Sequence, residues 1–218
     1  MVVIYAEKAS LAKELAAFLH AGKRIPLQDE PTVAHYEFTY KGEQAILCHG
    51  VGHLASLAAA KNYDEKYSKW DLNVFPCIPE NFKIGAKQQT VKCLKLVKSL
   101  FDKADWIINA TDSDREGELI FSYVYQICKC KAPYKRLWIT DMTEEKLRYA
   151  FNNLIEPDGA ISSTVSGSPD QLQMAGRARD ISDWLIGTNL TVAATKKYGS
   201  YDKMLTVGRV QTPTINLV

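Results

Sequence analysis

Apolar and polar positions fall into blocks of strand and helix length along the chain. Val2 to Ala6 is an apolar run of strand length. Ser10 opens a predicted helix to about His20, with Leu11, Leu15, Phe18 and Leu19 on one face. From His35 to Tyr40 the period is two, with Tyr36, Phe38 and Tyr40 on one side. Lys41-Gly42 turns the chain and Ala45 to Cys48 returns, which predicts a hairpin. In His49-Gly50-Val51-Gly52-His53-Leu54 the two glycines predict a backbone that comes close to something. Lys61 to Ile84 is irregular and rich in aromatics. Thr90 opens a helix to Phe101. Trp106-Ile107-Ile108 reads as a buried strand, and a helix follows to about Cys130. Arg136 to Ile139 reads as another strand. Thr143 opens a helix carrying Leu147, Ala150, Phe151 and Leu154. This alternation predicts an α/β fold, a mostly parallel sheet flanked by helices.

Glu156-Pro157-Asp158-Gly159 breaks the pattern, and residues 162–169 are rich in Ser and Gly. The predicted boundary is here: an α/β domain over 1–155 and a mainly α-helical segment over 156–218. Ser168-Pro169 supplies an N-cap and a proline at the first helical position. A long helix is expected from about Asp170 to Lys197, with Met174, Ile181 and Leu185 on its apolar side. Gly187 is either tolerated inside it or marks a break, and Tyr198-Gly199-Ser200 ends it.

Composition narrows the function classes. The chain has 218 residues, 46% of them hydrophobic and 24% charged, ordinary for a globular protein. No apolar run reaches membrane-spanning length, and the N-terminus is charged too early for a signal peptide. Five cysteines, without a CxxC pair, argue against a disulfide framework or zinc ribbon and fit a bacterial-type cytoplasm. Residues 171–218 carry six basic and three acidic side chains. That is a net of +3 in a chain of +2 overall, and suits a polyanionic partner.

The chemistry concentrates at Asn109-Ala110-Thr111-Asp112-Ser113-Asp114-Arg115-Glu116-Gly117-Glu118, where a strand hands over to a helix. In an open α/β sheet this is the carboxyl edge, at which ligands bind. Asp112, Asp114 and Glu116 set carboxylates two residues apart, the ligand type Mg²⁺ takes. Acids in a helix's first turn also cap it and favour its dipole, so on spacing alone a metal site stands only slightly ahead of a capping cluster. Glu7 and Lys8 end the first strand in the same kind of position; by themselves they read as a solvated turn. His53 could meet a phosphate or be structural. Trp70, following Lys66 and Lys69, could stack a base or pin a loop to the core.

Four blocks together carry a family resemblance. Tyr5-Ala6-Glu7-Lys8-Ala9-Ser10 resembles the opening of a Toprim domain. Asp112-Ser113-Asp114-Arg115-Glu116-Gly117-Glu118 resembles its DxDxE motif. Ala175-Gly176-Arg177-Ala178-Arg179 with Asp183-Trp184-Leu185-Ile186-Gly187-Thr188-Asn189-Leu190-Thr191 resembles the helix after that domain in type IA DNA topoisomerases. Thr206-Val207-Gly208-Arg209-Val210-Gln211-Thr212-Pro213 resembles their (S/T)xGRVQTP block. The resemblance spans nearly the whole chain and is strongest to the topoisomerase III branch.

The resemblance implies a Rossmann-like Toprim fold and an isomerase that cleaves and reseals one DNA strand through a 5′-phosphotyrosine, with Mg²⁺ as cofactor. It implies Glu7, Lys8 and Arg115 as catalytic residues and Glu7, Asp112, Asp114 and Glu116 as metal ligands. It implies DNA contacts from His53, Trp70, Arg177, Arg179, Trp184, Thr206, Val207, Gly208, Arg209, Val210 and Gln211. The expected partner is a single-stranded DNA segment. A monomer, no membrane, and a cytoplasmic, nucleoid- or plasmid-associated location are also expected. None of the eleven tyrosines stands in the setting of the family's nucleophile, so the chain reads as a Toprim domain plus part of the next DNA-binding domain, inactive alone. Two departures stand out: Ser113 replaces the usual proline, and Val192 replaces an expected arginine, for which Lys196 or Lys197, one turn further along, is the candidate substitute. A Toprim nuclease or primase-like protein, a phosphoacceptor signalling domain and a non-catalytic DNA-binding module remain as alternatives. The GRVQTP block argues against the first, and the basic C-terminal helix against the second.

Overall fold

A computed structural model describes residues 1–161, 166–199 and 203–217. The serine-rich residues 162–165 of the predicted boundary, and Ser200 at the predicted end of the long helix, lie outside them. The chain divides into two compact units, Met1–Ser56 with Ala86–Gly176, and Leu57–Gly85 with Arg177–Val218.

The strands are β1 (Val2–Ala6), β2 (Arg24–Leu27), β3 (Glu30–Tyr40), β4 (Glu43–His49), β5 (Ala55–Leu57), β6 (Ile84–Ala86), β7 (Trp106–Ala110) and β8 (Tyr134–Arg136). The helices are α1 (Ala9–Phe18), α2 (Val91–Phe101), α3 (Arg115–Ile127), α4 (Glu144–Asn152), α5 (Pro169–Tyr198) and α6 (Gln211–Asn216). Six strands of the first unit form one sheet in the order β2-β3-β4-β1-β7-β8. The β4-β1-β7-β8 run is parallel, and β2-β3-β4 is an antiparallel meander that includes the predicted hairpin. β5 and β6 form a separate two-stranded ribbon.

All five residues of β1 are buried, because the sheet is covered on both faces. Its even residues, Val2, Ile4 and Ala6, pack with Leu15 of α1 and with Leu147 and Phe151 of α4. Its odd residues, Val3 and Tyr5, pack with Val97 and Phe101 of α2 and with Phe121 and Val124 of α3. Each large side chain fully buried in these two clusters contributes about 1.5–3 kcal/mol.

The ends of several elements differ from the sequence expectation for local reasons. α1 begins one residue before Ser10, with Lys8 as an extended N-cap that makes no side-chain capping bond. β8 stops at Arg136, because the Ile139 N–H donates to the Ser113 hydroxyl (2.8 Å) rather than into a ladder. α5 runs unbroken through Gly187. At its start the Gln171 N–H donates to the Ser168 hydroxyl (3.3 Å) and the Gln171 side chain accepts from the Ser168 N–H (3.1 Å), a reciprocal capping box. Met174, expected on the apolar side of α5, is instead 62% exposed.

In the second unit the C-terminal part of α5 is the support. Trp184 makes edge contacts with Tyr63 (5.7 Å) and Phe82 (5.4 Å) and donates its indole N–H to the Ala58 carbonyl (3.0 Å). Asn189 clamps Cys77, accepting from its N–H (2.7 Å) and donating to its carbonyl (3.0 Å). Thr191 and Thr195, one helical turn apart, accept from the N–H groups of Val207 (3.0 Å) and Leu205 (2.9 Å). The helix thereby holds the extended segment that leads into Gly208-Arg209.

Candidate functional site

The parallel pairing of β1 with β7 sets Ala6 opposite Ala110. The residues just past each strand, Glu7-Lys8 and Thr111-Asp112, therefore emerge together at the carboxyl edge of the sheet. The Asp112 N–H donates to Glu7 Oε2 at 3.3 Å, and Lys8 Nζ donates to Asp112 Oδ2 at 2.7 Å. Burial raises the Glu7 carboxyl above its usual range, and the neighbouring Asp112 and Asp114 charges add to that rise. The hydrogen bond to Asp112 raises the Lys8 ammonium in turn. The Gly50 and Gly52 N–H groups donate to the Ala6 (2.9 Å) and Glu7 (3.3 Å) carbonyls, which identifies what the His-Gly-Val-Gly-His segment approaches: the end of β1 that carries Glu7.

The two later acids have partners of their own. Asp114 is the N-cap of α3, its Oδ1 accepting from the Gly117 N–H at 2.7 Å. Glu116 Oε1 lies 3.4 Å from His53 Nε2, both side chains being 40% exposed. Both readings of the acid run, capping and a charged edge, therefore apply to different members of it. Arg115 is exposed in the first turn of α3. Among the described residues, no three His, Cys, Asp or Glu side chains converge as a ready-made metal cage. Mg²⁺ does not require one: it keeps several waters and binds through one or two carboxylates together with substrate phosphates. The crowded pair of Glu7 and Asp112, with Asp114 close enough to act on Glu7, is a donor set of that kind. Beside it opens a cavity of about 320 Å³ lined by Lys8, Ser10, Thr111, Asp112, Ser113 and Asp141, among others.

Gly117 sets how close α3 comes to this turn. A Cβ on it would stand 2.1 Å from the Asp112 carbonyl oxygen, so only glycine permits the packing. Glu118, the last acid of the run, is 3% exposed and forms a charged hydrogen bond with the fully buried Arg136. Sequence reading did not single out either residue for a role. The available signal was Arg136 itself: a charged residue opening an apolar strand needs a buried partner. Ser113, where the resembling enzymes carry proline, holds the Ile139 N–H as described above, a bond proline could not provide.

The remaining predicted DNA contacts, Trp70, Arg177, Arg179, Trp184 and residues 206–211, belong to the second unit. Arg209 is bidentate on Asp183, with Nε to Oδ1 at 2.7 Å and Nη2 to Oδ2 at 3.4 Å; Arg179 Nε lies 3.6 Å from the same carboxylate. The Arg209 hydrogen bond holds the Asp183 carboxyl below its usual range. The Trp184 ring is engaged in packing with Tyr63 and Phe82. Trp70 is 37% exposed and helps line a cavity of about 350 Å³ with Tyr67, Phe75, Thr188 and Val192. Val192 itself is 1% exposed. Thr206, Arg209, Val210 and Gln211 are exposed.

Comparison with known proteins places this geometry in a family. Residues 2–142 match the Toprim domain, and residues 168–218 match the DNA topoisomerase family. DNA topoisomerase 3 of Bacillus cereus is 35% identical over 218 residues, and that of Staphylococcus saprophyticus 36%. Each match takes in 99% of this chain and 27% of the relative, so the chain spans about a quarter of the length of these proteins. The solved structure of topoisomerase I from Thermotoga maritima superimposes with a TM-score of 0.61 over 99% of this chain and 29% of that one; at 22% identity the likeness is one of fold. The chain belongs to the Toprim domain family, and the segment after that domain is similar to the DNA topoisomerase family.

Proposed function

We propose that this chain is part of a type IA DNA topoisomerase of the topoisomerase III kind, supplying the Mg²⁺ site and part of the DNA-binding surface. The observation that carries the reading is the meeting of Glu7, Lys8 and Asp112 at one sheet edge, from positions more than 100 residues apart. The topoisomerase 3 relatives, similar over nearly the whole chain, support it.

In this reading Glu7 and Asp112, with Asp114 and Glu116 nearby, hold Mg²⁺. When bound, the ion positions the scissile phosphodiester and offsets its charge. Lys8 turns from Asp112 to the phosphate, and Arg115 adds positive charge at the same edge. When off the ion and protonated, Glu7 is the acid that gives a proton to the departing 3′ oxygen. His53 orients Glu116. Arg177, Arg179, Arg209 and the backbone around Gly208 track a single strand, with Val210, Gln211, Thr206 and Val207 beside it. Trp70 is an exposed aromatic available to a base, and Trp184 supports that surface through its packing. The nucleophilic tyrosine lies outside these 218 residues. Tyr5, two residues before Glu7, is fully buried, with its hydroxyl pushed far above the ordinary range by that burial, and cannot take the part. A monomer in the bacterial cytoplasm suits five free thiols, and no described helix is long and apolar enough to cross a membrane.

Calorimetric titration with Mg²⁺ tests the metal site. The wild-type chain binds weakly, and Asp112→Asn with Asp114→Asn abolishes binding while circular dichroism stays unchanged. Undiminished binding in that double variant would return the acids to a capping role. Plasmid relaxation by the chain alone in Mg²⁺ would refute the placement of the nucleophile elsewhere.

A further inference from the structure

We propose that Arg136, paired with Glu118, is a positioning residue that fixes the Asp112 turn for metal and phosphate binding. The inference rests on the metal reading above. Arg136 is fully buried and spends its guanidinium on four hydrogen bonds. Nε donates to Glu118 Oε1, Nη1 to the carbonyls of Asn109 (3.0 Å) and Leu137 (2.8 Å), and Nη2 to the carbonyl of Asp112 (2.7 Å). The network continues upward. Glu118 Oε2 accepts from Asn109 Nδ2 (3.1 Å), and Asn109 Oδ1 accepts from the Thr111 N–H (3.1 Å). The Thr111 hydroxyl sits between Asn109 Oδ1 (2.8 Å) and the Gly117 carbonyl (2.9 Å) and donates to one of them. These side-chain links among Asn109, Thr111 and the Asp112 carbonyl thus lead back to the buried Arg136–Glu118 pair, beside the Asp114 cap on Gly117, which is made independently of it.

Stability alone does not account for such a pair. Burial raises the Glu118 carboxyl and lowers the Arg136 guanidinium; their mutual attraction opposes both, and the Asp114 and Asp112 charges also support Arg136. Because arginine stays protonated in proteins, Arg136 buries a charge, at a desolvation cost that an apolar side chain of the same volume avoids. What apolar side chains cannot supply is the forked donor that grips Asp112 by its main chain. The carboxylate of that same residue carries Lys8, and its N–H meets Glu7. Groups behind a ligand that hold it in place commonly govern affinity as strongly as the ligands do.

The test replaces the pair by apolar isosteres, Arg136→Met with Glu118→Leu, and separately keeps the charge but removes the fork with Arg136→Lys. The probes are Mn²⁺, whose binding is followed by its paramagnetic signal, and amide hydrogen exchange at Asp112, Asp114 and Gly117. The double variant is expected to stay folded, to bind Mn²⁺ about tenfold more weakly and to exchange the Asp112 and Asp114 amides faster. Arg136→Lys is expected to fall between it and wild type. A folded double variant that binds Mn²⁺ within twofold of wild type overturns the proposal. If the double variant unfolds, Arg136→Lys is judged by the same threshold. Failure of the wild-type chain to bind Mn²⁺ overturns the metal reading instead; unchanged amide exchange in the folded variants then overturns the positioning role on its own.

Discussion

Replacing Gly117 by alanine puts a methyl group where the structure has a carbonyl. The new Cβ would lie 2.1 Å from Asp112 O and 3.0 Å from Asp112 C and N, whereas real Cβ atoms essentially never come within 3.0 Å of a neighbour. The turn must retreat by at least the difference, about 0.9 Å at the oxygen. That oxygen accepts from Arg136 Nη2 at 2.7 Å and from the Asp114 N–H at 2.9 Å, so the retreat stretches both bonds. Forcing a methylene into a packed site typically costs about 1–3 kcal/mol, and alanine's better helix propensity returns no more than ~1 kcal/mol. Because the clash is with main chain rather than a movable side chain, the upper part of that range applies, and a net loss of about 1–2 kcal/mol lowers the unfolding midpoint by roughly 2–8 °C in a chain of this size. Gly187 in α5 is the control. Among the described residues a Cβ there meets only Val207 O at 3.7 Å, an ordinary contact, so Gly187→Ala is expected to stabilise by up to about 1 kcal/mol. The assay is thermal unfolding followed by circular dichroism, with both variants measured beside wild type. If Gly117→Ala melts at or above wild type, the turn yields freely and the close approach of α3 does not constrain Asp112.

Two further substitutions probe the supports. Ser113→Ala removes the acceptor of the Ile139 N–H and should cost about 0.5–1.5 kcal/mol in urea unfolding; an unchanged midpoint at constant slope would show that water replaces the hydroxyl. At Asp183 the carboxyl is held low by Arg209, so the folded state binds that proton less readily than the unfolded chain. The contribution is present above the ordinary carboxylate range and is lost as pH falls through the depressed value. Carbon-13 titration of Asp183 should show an upward move in Arg209→Gln and a smaller depression at high salt, because the pair is exposed. No move in that variant would mean the pair is not populated in solution.

The fold was legible where burial speaks through periodicity. The runs Val2–Ala6 and Trp106–Ile108 became the adjacent parallel strands β1 and β7, and the Tyr36, Phe38, Tyr40 alternation became an arm of the hairpin. Ser168-Pro169 marked the start of α5 because capping is a local chemistry. β2 left no such trace: Arg24, Ile25 and Pro26 are exposed on an edge strand, where a proline is tolerated. The charged edge was legible from two acid-bearing strand ends, yet the inward turn of Glu118 was not. It belongs to the same acidic run as Asp112 and Asp114, and only the position of Arg136, 18 residues later, tells which way it faces. Trp184 illustrates the same limit in aromatic form, since a ring that can stack on a base can equally stack on Tyr63 and Phe82.

The pairing of β1 with its two neighbours also bears on how the chain acquires the site. Lys8 and Asp112 are 104 residues apart in sequence, and nothing local draws them together. The hairpin β3-β4 closes a short loop, whereas joining β1 to β7 closes one of about a hundred residues, whose entropy must be met before any of its contacts form. The charged edge therefore forms only once that long loop has closed. During refolding, the arrival of metal affinity should follow the formation of the hairpin and report completion of the central sheet, a kinetic order that pulse-labelled amide exchange of β3 and β7 can resolve.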